Sequence, residues 1–198
     1  MYKTIDYYDN NALKFVSGTL NVEFTETQDK FLSCLPKKGM ILDFGCGSGR
    51  DARYFLSKGY EVDAVDGSET LCKIATENTG IKVRQMLFSQ LDTNEKYDGI
   101  WACASVLHLT KEELRVVFSK MIRAVKRDGY IYVSFKYGEF EGYRGERYFT
   151  DFTENTINSF LTVFSGIKLV EEWISSDVRP GRGDEKWLNI ILQKSITD

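Results

Sequence analysis

Proline is scarce in this 198-residue chain, histidine occurs once, and neither sign of charge predominates. With only Pro36 and Pro180, nearly the whole length is free of the residue that breaks helices and central strands. The 42% hydrophobic and 28% charged residues exclude a disordered or fibrous chain. A net charge of −3 gives no overall attraction to nucleic acid and leaves only a local RNA contact open. The four cysteines (Cys34, Cys46, Cys72 and Cys103) form no C-x-x-C or C-x-x-H pair. Cysteine-ligated metal and a disulfide framework are therefore not expected, and free thiols in a reducing compartment are. No metal site is expected at all. No apolar run approaches membrane-spanning length, and MYKTIDYYDNN has no apolar stretch of signal type. The expectation is a cytoplasmic protein with no membrane partner, a monomer or homodimer. At this length it should form one domain over 1–198.

What the chain does contain is an alternation of short apolar runs and amphipathic segments. Phe24, Phe31, Leu32 and Leu35 predict a helix that stops before Pro36-Lys37-Lys38-Gly39. Met40–Phe44, Glu61–Val65, Lys82–Leu87, Tyr97–Cys103 and Tyr130–Tyr137 read as strands, and helices read between them. Ser68 is a good N-cap for one helix, and Thr110 for KEELRVVFSKMIRAVKR. Thr153 to Phe164 reads as a last helix, before strands at Ile167–Ile174 and Trp187–Gln193. These last two are joined by SSDVRPGRGDEK, too short for a parallel crossover, so one strand must be reversed. The predicted fold is α/β: a Rossmann-like three-layer sandwich around a seven-stranded, mostly parallel sheet with one antiparallel strand near the C-terminus.

The first strand ends in ILDFGCGSGRD. Gly45, Gly47 and Gly49 form G-x-G-x-G, which lets the chain turn sharply and a ligand approach its backbone. The dinucleotide loop is G-x-G-x-x-G, one residue longer in its last interval. Asp43, just before the turn, would repel a pyrophosphate and attract an ammonium or sulfonium. Asp66, at the end of the second strand, can accept hydrogen bonds from both ribose hydroxyls, and Gly67-Ser68 opens the next helix. A plain tight turn needs neither carboxylate. Spacing and charge together favour a cationic nucleoside and disfavour a nicotinamide dehydrogenase.

The runs ILDFGCGSGRD, VDAVDGS, YDGIWACASVLHL and KRDGYIYVSF resemble, in order and spacing over residues 38–137, the class I S-adenosylmethionine-dependent methyltransferases. Within them the chain looks most like the small bacterial enzymes related to the tellurite-resistance type. The resemblance implies S-adenosyl-L-methionine as cofactor and S-adenosyl-L-homocysteine as product. It implies that Asp43 and Gly45 face the methionine end, with Cys46, Gly47 and Gly49 completing the loop. Asp66 would bind the ribose beside Gly67 and Ser68, Phe88 and Ser89 would flank the adenine, and Cys103 and Ala104 would lie along the methionine portion.

Methyltransferases that act on adenine N6 or glutamine amides carry an Asn/Asp-Pro-Pro-aromatic motif after the fourth strand, where this chain has Ala102-Cys103-Ala104-Ser105. The departure argues against those targets. His108 either holds its loop and caps a helix, or serves as general base or substrate contact; its ordinary pKa near 6.5 suits a base. Cys103 packs against the cofactor in preference to acting as a nucleophile, because an apolar setting raises a thiol pKa. Tyr7, a substrate candidate, and Tyr8, with His108 a candidate catalytic group, belong to a helical N-terminal segment, 1–35, read either as a lid over the cofactor or as a core anchor. The segment 136–152 reads as a loop inserted on the substrate side. Lys136, Tyr137, Arg144, Arg147 and Tyr148, with Arg179, Arg182 and Trp187, either shape a pocket for an anionic or aromatic small molecule or are solvated, mutually satisfied charges. The expected activity is methyl transfer to a small molecule. RNA as the acceptor and a non-catalytic cofactor-binding module are the alternatives.

Overall fold

A computed structural model describes residues 2–195. The chain begins with three short helices, α1 (Tyr2–Asn10), α2 (Ala12–Ser17) and α3 (Thr25–Leu32). An alternating series follows: β1 (Met40–Phe44), α4 (Arg50–Ser57), β2 (Glu61–Asp66), α5 (Glu69–Thr79), β3 (Arg84–Gln85), β4 (Tyr97–Ala102), α6 (Lys111–Ala124) and β5 (Val125–Lys136). A hairpin of β6 (Glu141–Arg144) and β7 (Arg147–Thr150) precedes α7 (Glu154–Leu161), β8 (Ile167–Ser176) and β9 (Lys186–Lys194).

The main sheet has the order β3-β2-β1-β4-β5-β9-β8. Its first five strands are parallel, and β9 runs antiparallel to both β5 and β8. The strand order reverses direction at β1 and β4, whose carboxyl ends in such sheets flank the ligand crevice. Alternation along the central strands separates two cores. Leu42, Phe44, Ile100, Ala102, Ile131, Val133 and Phe135 join α6 and α7 through Leu114, Phe118, Met121, Ile157 and Phe160. Ile41, Trp101, Tyr132 and Ile191 face the other way onto Phe31 of α3 and Phe55 of α4, with Trp101 and Tyr132 stacked at 4.0 Å. These are the three layers that strand-helix alternation implies.

Both predicted caps are present: the Ser68 hydroxyl accepts from the Leu71 amide, and Thr110 and Glu113 form a reciprocal capping box. Three elements differ from expectation. The third strand shrinks to two residues because the Val83 amide bonds the Thr76 hydroxyl of α5 instead of a sheet neighbour. The helix from Lys111 stops at Ala124, since Val125 pairs with Tyr97 and the ladder then breaks before resuming at Tyr130. Asp128, at φ 60°, takes up that break. The third is segment 136–152, which forms an antiparallel hairpin and not an open loop. Gly145, at φ 62°, sits first in its two-residue turn, where a left-handed backbone matches the strand twist.

Candidate active site

The glycine turn between β1 and α4 is held by backbone bonds to the neighbouring strand. The amides of Gly45 and Cys46 both donate to the Val65 carbonyl, at 2.9 and 3.0 Å. Gly45 has φ 90°, and a Cβ there would lie 2.4 Å from Cβ of Ser105, whose hydroxyl donates to the Phe44 carbonyl. Asp66 closes the arrangement by accepting from the Gly47 amide and the Ser68 amide, both at 2.9 Å, one on each carboxylate oxygen. Burial holds its pKa above the usual carboxylate value despite these bonds. Each oxygen keeps a lone pair for a ligand hydroxyl.

Beneath the turn, Asp51 accepts from Gln28, Trp101 and the Arg50 guanidinium, all at 2.7–2.9 Å. Arg50 lies over the Phe24 ring at 4.5 Å and keeps further donors in reserve. Asp43 is buried, and its Oδ2 has no partner. Burial first, then the charge of Asp51, pushes its carboxyl well above the ordinary value, and Arg50 only partly offsets them. Asp43 and Asp51 thus both lie close to Arg50, Asp51 as its ionised partner and Asp43 with its carboxyl shifted toward the neutral form. Ala104, two residues past the end of β4, has φ 49°, and the Ser134 hydroxyl accepts from its amide at 2.8 Å. Such left-handed strain at a non-glycine residue marks a backbone fixed by its surroundings. Burial pushes the Cys103 thiol up to about 12, which removes it as a nucleophile.

The N-terminal helices cover this turn. Asp9 of α1 accepts from the Ser68 hydroxyl and the Thr70 amide at the start of α5. Ile5 packs on Gly67, and Phe15 sits where a Cβ on Gly47 would come within 3.0 Å of its ring. The Tyr8 hydroxyl bonds His108 Nε2 at 2.9 Å, and His108 Nδ1 bonds the Tyr148 carbonyl at 2.6 Å. The carbonyl must accept, so Nδ1 carries the proton and Tyr8 donates to Nε2. Burial lowers the His108 pKa to about 4, helped by the charge of Arg147, so the ring is neutral near pH 7. With both nitrogens engaged, His108 ties the N-terminal helices to the hairpin, and Nε2 meets an acceptor only by way of Tyr8. By contrast α3 is core, with Phe31 fully buried against Trp101.

A cavity of about 700 Å³ joins these parts to the hairpin and to loop 177–185. Gly45, Cys46, Gly47, Asp66, Gly67, Ser68, Phe88, Cys103 and Ala104 line it, as do Tyr8, His108, Lys136, Tyr137, Arg147, Arg179 and Arg182. Five expected residues do not. Asp43 lies below the turn; Gly49 packs against Thr79 and Ala75 of α5; Ser89 lies in the 3-10 turn Phe88–Gln90, outside the lining; Tyr7 lies under Arg147; and Tyr148, alternating with Arg147 along β7, puts its hydroxyl on Glu141. Sequence reasoning missed Arg50, Asp51, Phe15 and Phe24 as wall residues. The first two stood in plain view after Gly49 but read as an ordinary helix start. On the acceptor side Asp177 accepts from Arg179 and Trp187 and lies 3.5 Å from Lys136, which also pairs with Glu185. These partners hold the Asp177 carboxyl below its usual range. Arg144 is bidentate on Asp151.

A methyltransferase domain model matches residues 41–129, the stretch that carries the glycine turn, Asp66 and Ala104. Those residues are a methyltransferase domain. The chain is 31% identical over 117 residues to the provisionally named methyltransferase YqeM of Bacillus subtilis, a match covering 53% of this chain and 47% of that one. It thus spans about half the length of that relative. It is 24% identical over 166 residues to an uncharacterized methyltransferase of Staphylococcus carnosus, covering 76% of this chain and 80% of the relative. Among solved structures, the 1,6-didemethyltoxoflavin-N1-methyltransferase of Burkholderia thailandensis, with bound 1,6-didemethyltoxoflavin and S-adenosylhomocysteine, superposes with a TM-score of 0.79. Identity is 20%, over 98% of this chain and 88% of that one. The sheet with its single reversed strand is therefore the class I methyltransferase fold. Among the described residues no helix is long and apolar enough to cross a membrane, and no group of three or more His, Cys, Asp or Glu could hold a metal.

Proposed function

We propose that this methyltransferase domain moves a methyl group from S-adenosyl-L-methionine to a small molecule. The single observation that carries the reading is the shared cavity: the glycine turn and Asp66 form one end, and the hairpin and loop 177–185 form the other. At about 700 Å³ it is within the range for ligand pockets, and the surface of its wall is mostly apolar, with polar and charged groups set into it. When bound, the cofactor supplies a methyl group activated on its sulfonium, which an acceptor nucleophile takes by in-line displacement, leaving S-adenosyl-L-homocysteine.

The chain itself supplies binding, alignment and a dry site. Asp66, fixed by two amides, accepts from the ribose hydroxyls. Arg50, held by Asp51, offers its spare donors to a carboxylate. Phe88 and Leu87 provide an apolar wall for the adenine. Ile5, Tyr8 and Phe15 close over the turn and exclude water. No base is assigned, because an activated methyl donor needs one only for a protonated, weakly acidic nucleophile. A small acceptor is favoured over RNA because most cations at the acceptor end are paired with carboxylates, whereas RNA binding calls for an open basic surface.

Calorimetry with S-adenosyl-L-homocysteine tests the cofactor end. Binding is expected in the micromolar range or tighter. Asp66→Ala should weaken it about 100-fold, the loss of charge-assisted hydrogen bonds worth together about 3 kcal/mol. Tighter binding of NAD would overturn the assignment. Incubation of a cell extract with methyl-labelled cofactor then tests the acceptor: label in small molecules supports the reading, and label confined to RNA or no transfer at all refutes it.

A further inference from the structure

The charges of the acceptor end do not cancel completely. Arg144 pairs with Asp151, and Lys136, Arg179 and Arg182 share Asp177 and Glu185, so each of these four has a carboxylate partner. Lys186 is exposed at the rim with its ammonium on the Ser176 hydroxyl. Arg147 is different. It is half-buried, lines the cavity and forms no ion pair among the described residues. Its guanidinium lies over aromatic rings, 4.7 Å from the centre of Tyr7, 5.1 Å from Phe149 and 5.9 Å from Tyr8. Its one hydrogen bond among the described residues is a long one, 3.4 Å, from Nη1 to the Tyr8 hydroxyl.

We infer that Arg147 is the specificity-determining residue of the acceptor end, where it binds the compact anionic group, such as a carboxylate, of an acceptor with an apolar or aromatic body. This rests on the methyl-transfer reading above. A guanidinium has five donors in a planar fork, and most of those on Arg147 are unspent. A carboxylate matches two of them at once. The aromatic faces beneath the guanidinium stabilise the cation without consuming its donors. They also leave apolar surface beside it for the body of the ligand. Arg147 is also well fixed. It begins β7 next to a two-residue turn, and the following residue is tied at its amide to the Thr4 hydroxyl and at its carbonyl to His108. A substituted lysine would keep the charge but lose the fork.

The probes are 2-naphthoate and 2-naphthamide, equal in shape and different in charge, titrated by calorimetry into the protein saturated with S-adenosyl-L-homocysteine. Naphthoate should bind at least about tenfold more tightly, as a charge-assisted pair allows. Arg147→Gln should abolish that preference and Arg147→Lys should retain part of it. Arg182→Gln, at a cation already paired, should leave it intact. S-adenosyl-L-homocysteine should bind Arg147→Gln as it binds the wild type, which shows that the variant is folded. Naphthoate binding no tighter than naphthamide, including no binding of either, overturns the inference; so does a preference that survives in Arg147→Gln. If the wild type fails to bind S-adenosyl-L-homocysteine, the methyl-transfer reading falls, and the same titrations without it still decide what Arg147 binds.

Discussion

In the glycine-turn half of the cavity Asp66 is held by amides near it in sequence, whereas at the acceptor half the N-terminal helix is tied to His108 and the hairpin across more than half the chain. Asp66 reaches Ser68 two positions away and Gly47 nineteen away. Tyr8 meets His108 across 100 positions, Arg147 meets Tyr8 across 139, and the Tyr148 amide meets the Thr4 hydroxyl across 144. The first half is backbone geometry at strand ends, made rigid by a sheet buried on both sides. The second is a set of side chains on elements that touch only because the sheet has already brought them together. A substitution in the first half should strain the fold, and one in the second should release a contact.

The largest expected effect follows from Gly45→Ala. The added Cβ would lie 2.4 Å from Cβ of Ser105, and the φ of 90° is unfavourable for any side chain. Overpacking and left-handed strain together should cost about 2–5 kcal/mol in urea unfolding, and cofactor binding should go with it. A loss below about 1 kcal/mol would mean that the turn yields, and the contrast between the halves would weaken.

An effect of middle size concerns His108, which holds the acceptor half closed. Its pKa falls from 6.5 to about 4 on folding. The stability this contributes is complete above 6.5 and is lost as the pH falls toward 4, because the unfolded chain then binds the proton first. About 2 kcal/mol should be gone by pH 5. The measurement is urea stability at pH 7 and pH 5 in the wild type and in His108→Gln, so that carboxylates titrating in the same range cancel in the difference. The amides of the hairpin should lose protection from hydrogen exchange in mild acid before those of β1 and β4. Equal pH dependence in the two proteins would show that the histidine is not held neutral.

The same difference in range decides what was legible in the sequence. The alternation of apolar runs, the reversed last strand, the caps at Ser68 and Thr110 and the placing of Asp66 all rest on local patterns, and the structure has them. Asp43 was read as a ligand contact because spacing puts it beside the turn, but spacing does not say which side of a strand faces the cavity. The hairpin at 141–150 was read as a loop because its strands carry charges and glycines and little apolar alternation. Its inward residues, Phe149 and Thr150, find their partners in the turn Val106–His108 and at Leu109, far away in sequence. The sequence leaves open whether Lys136, Arg144 and Arg179 are mutually satisfied or shape a pocket, and the structure pairs each with a carboxylate, two of them local, Arg144 with Asp151 and Arg179 with Asp177. Composition shows equal numbers of mixed charges whether they pair or stand open, and only the folded arrangement singles out Arg147.

The smallest expected effect comes from a control within the acceptor half. Gly181, in loop 177–185, has φ 75°, close to that of Gly45, but a Cβ there would meet nothing within 4 Å. Gly181→Ala therefore carries the left-handed strain without the overpacking, about 1 kcal/mol, some of it relieved by a loop with room to adjust. Cofactor binding should be unchanged. The two alanine substitutions share backbone hand and added atom, so the difference between their unfolding free energies measures the steric term alone. If Gly181→Ala proved as costly as Gly45→Ala, backbone strain and not packing against Ser105 would be what makes the glycine turn intolerant. The rigidity attributed to the cofactor half would then belong to the conformation of one residue and not to the sheet that surrounds it.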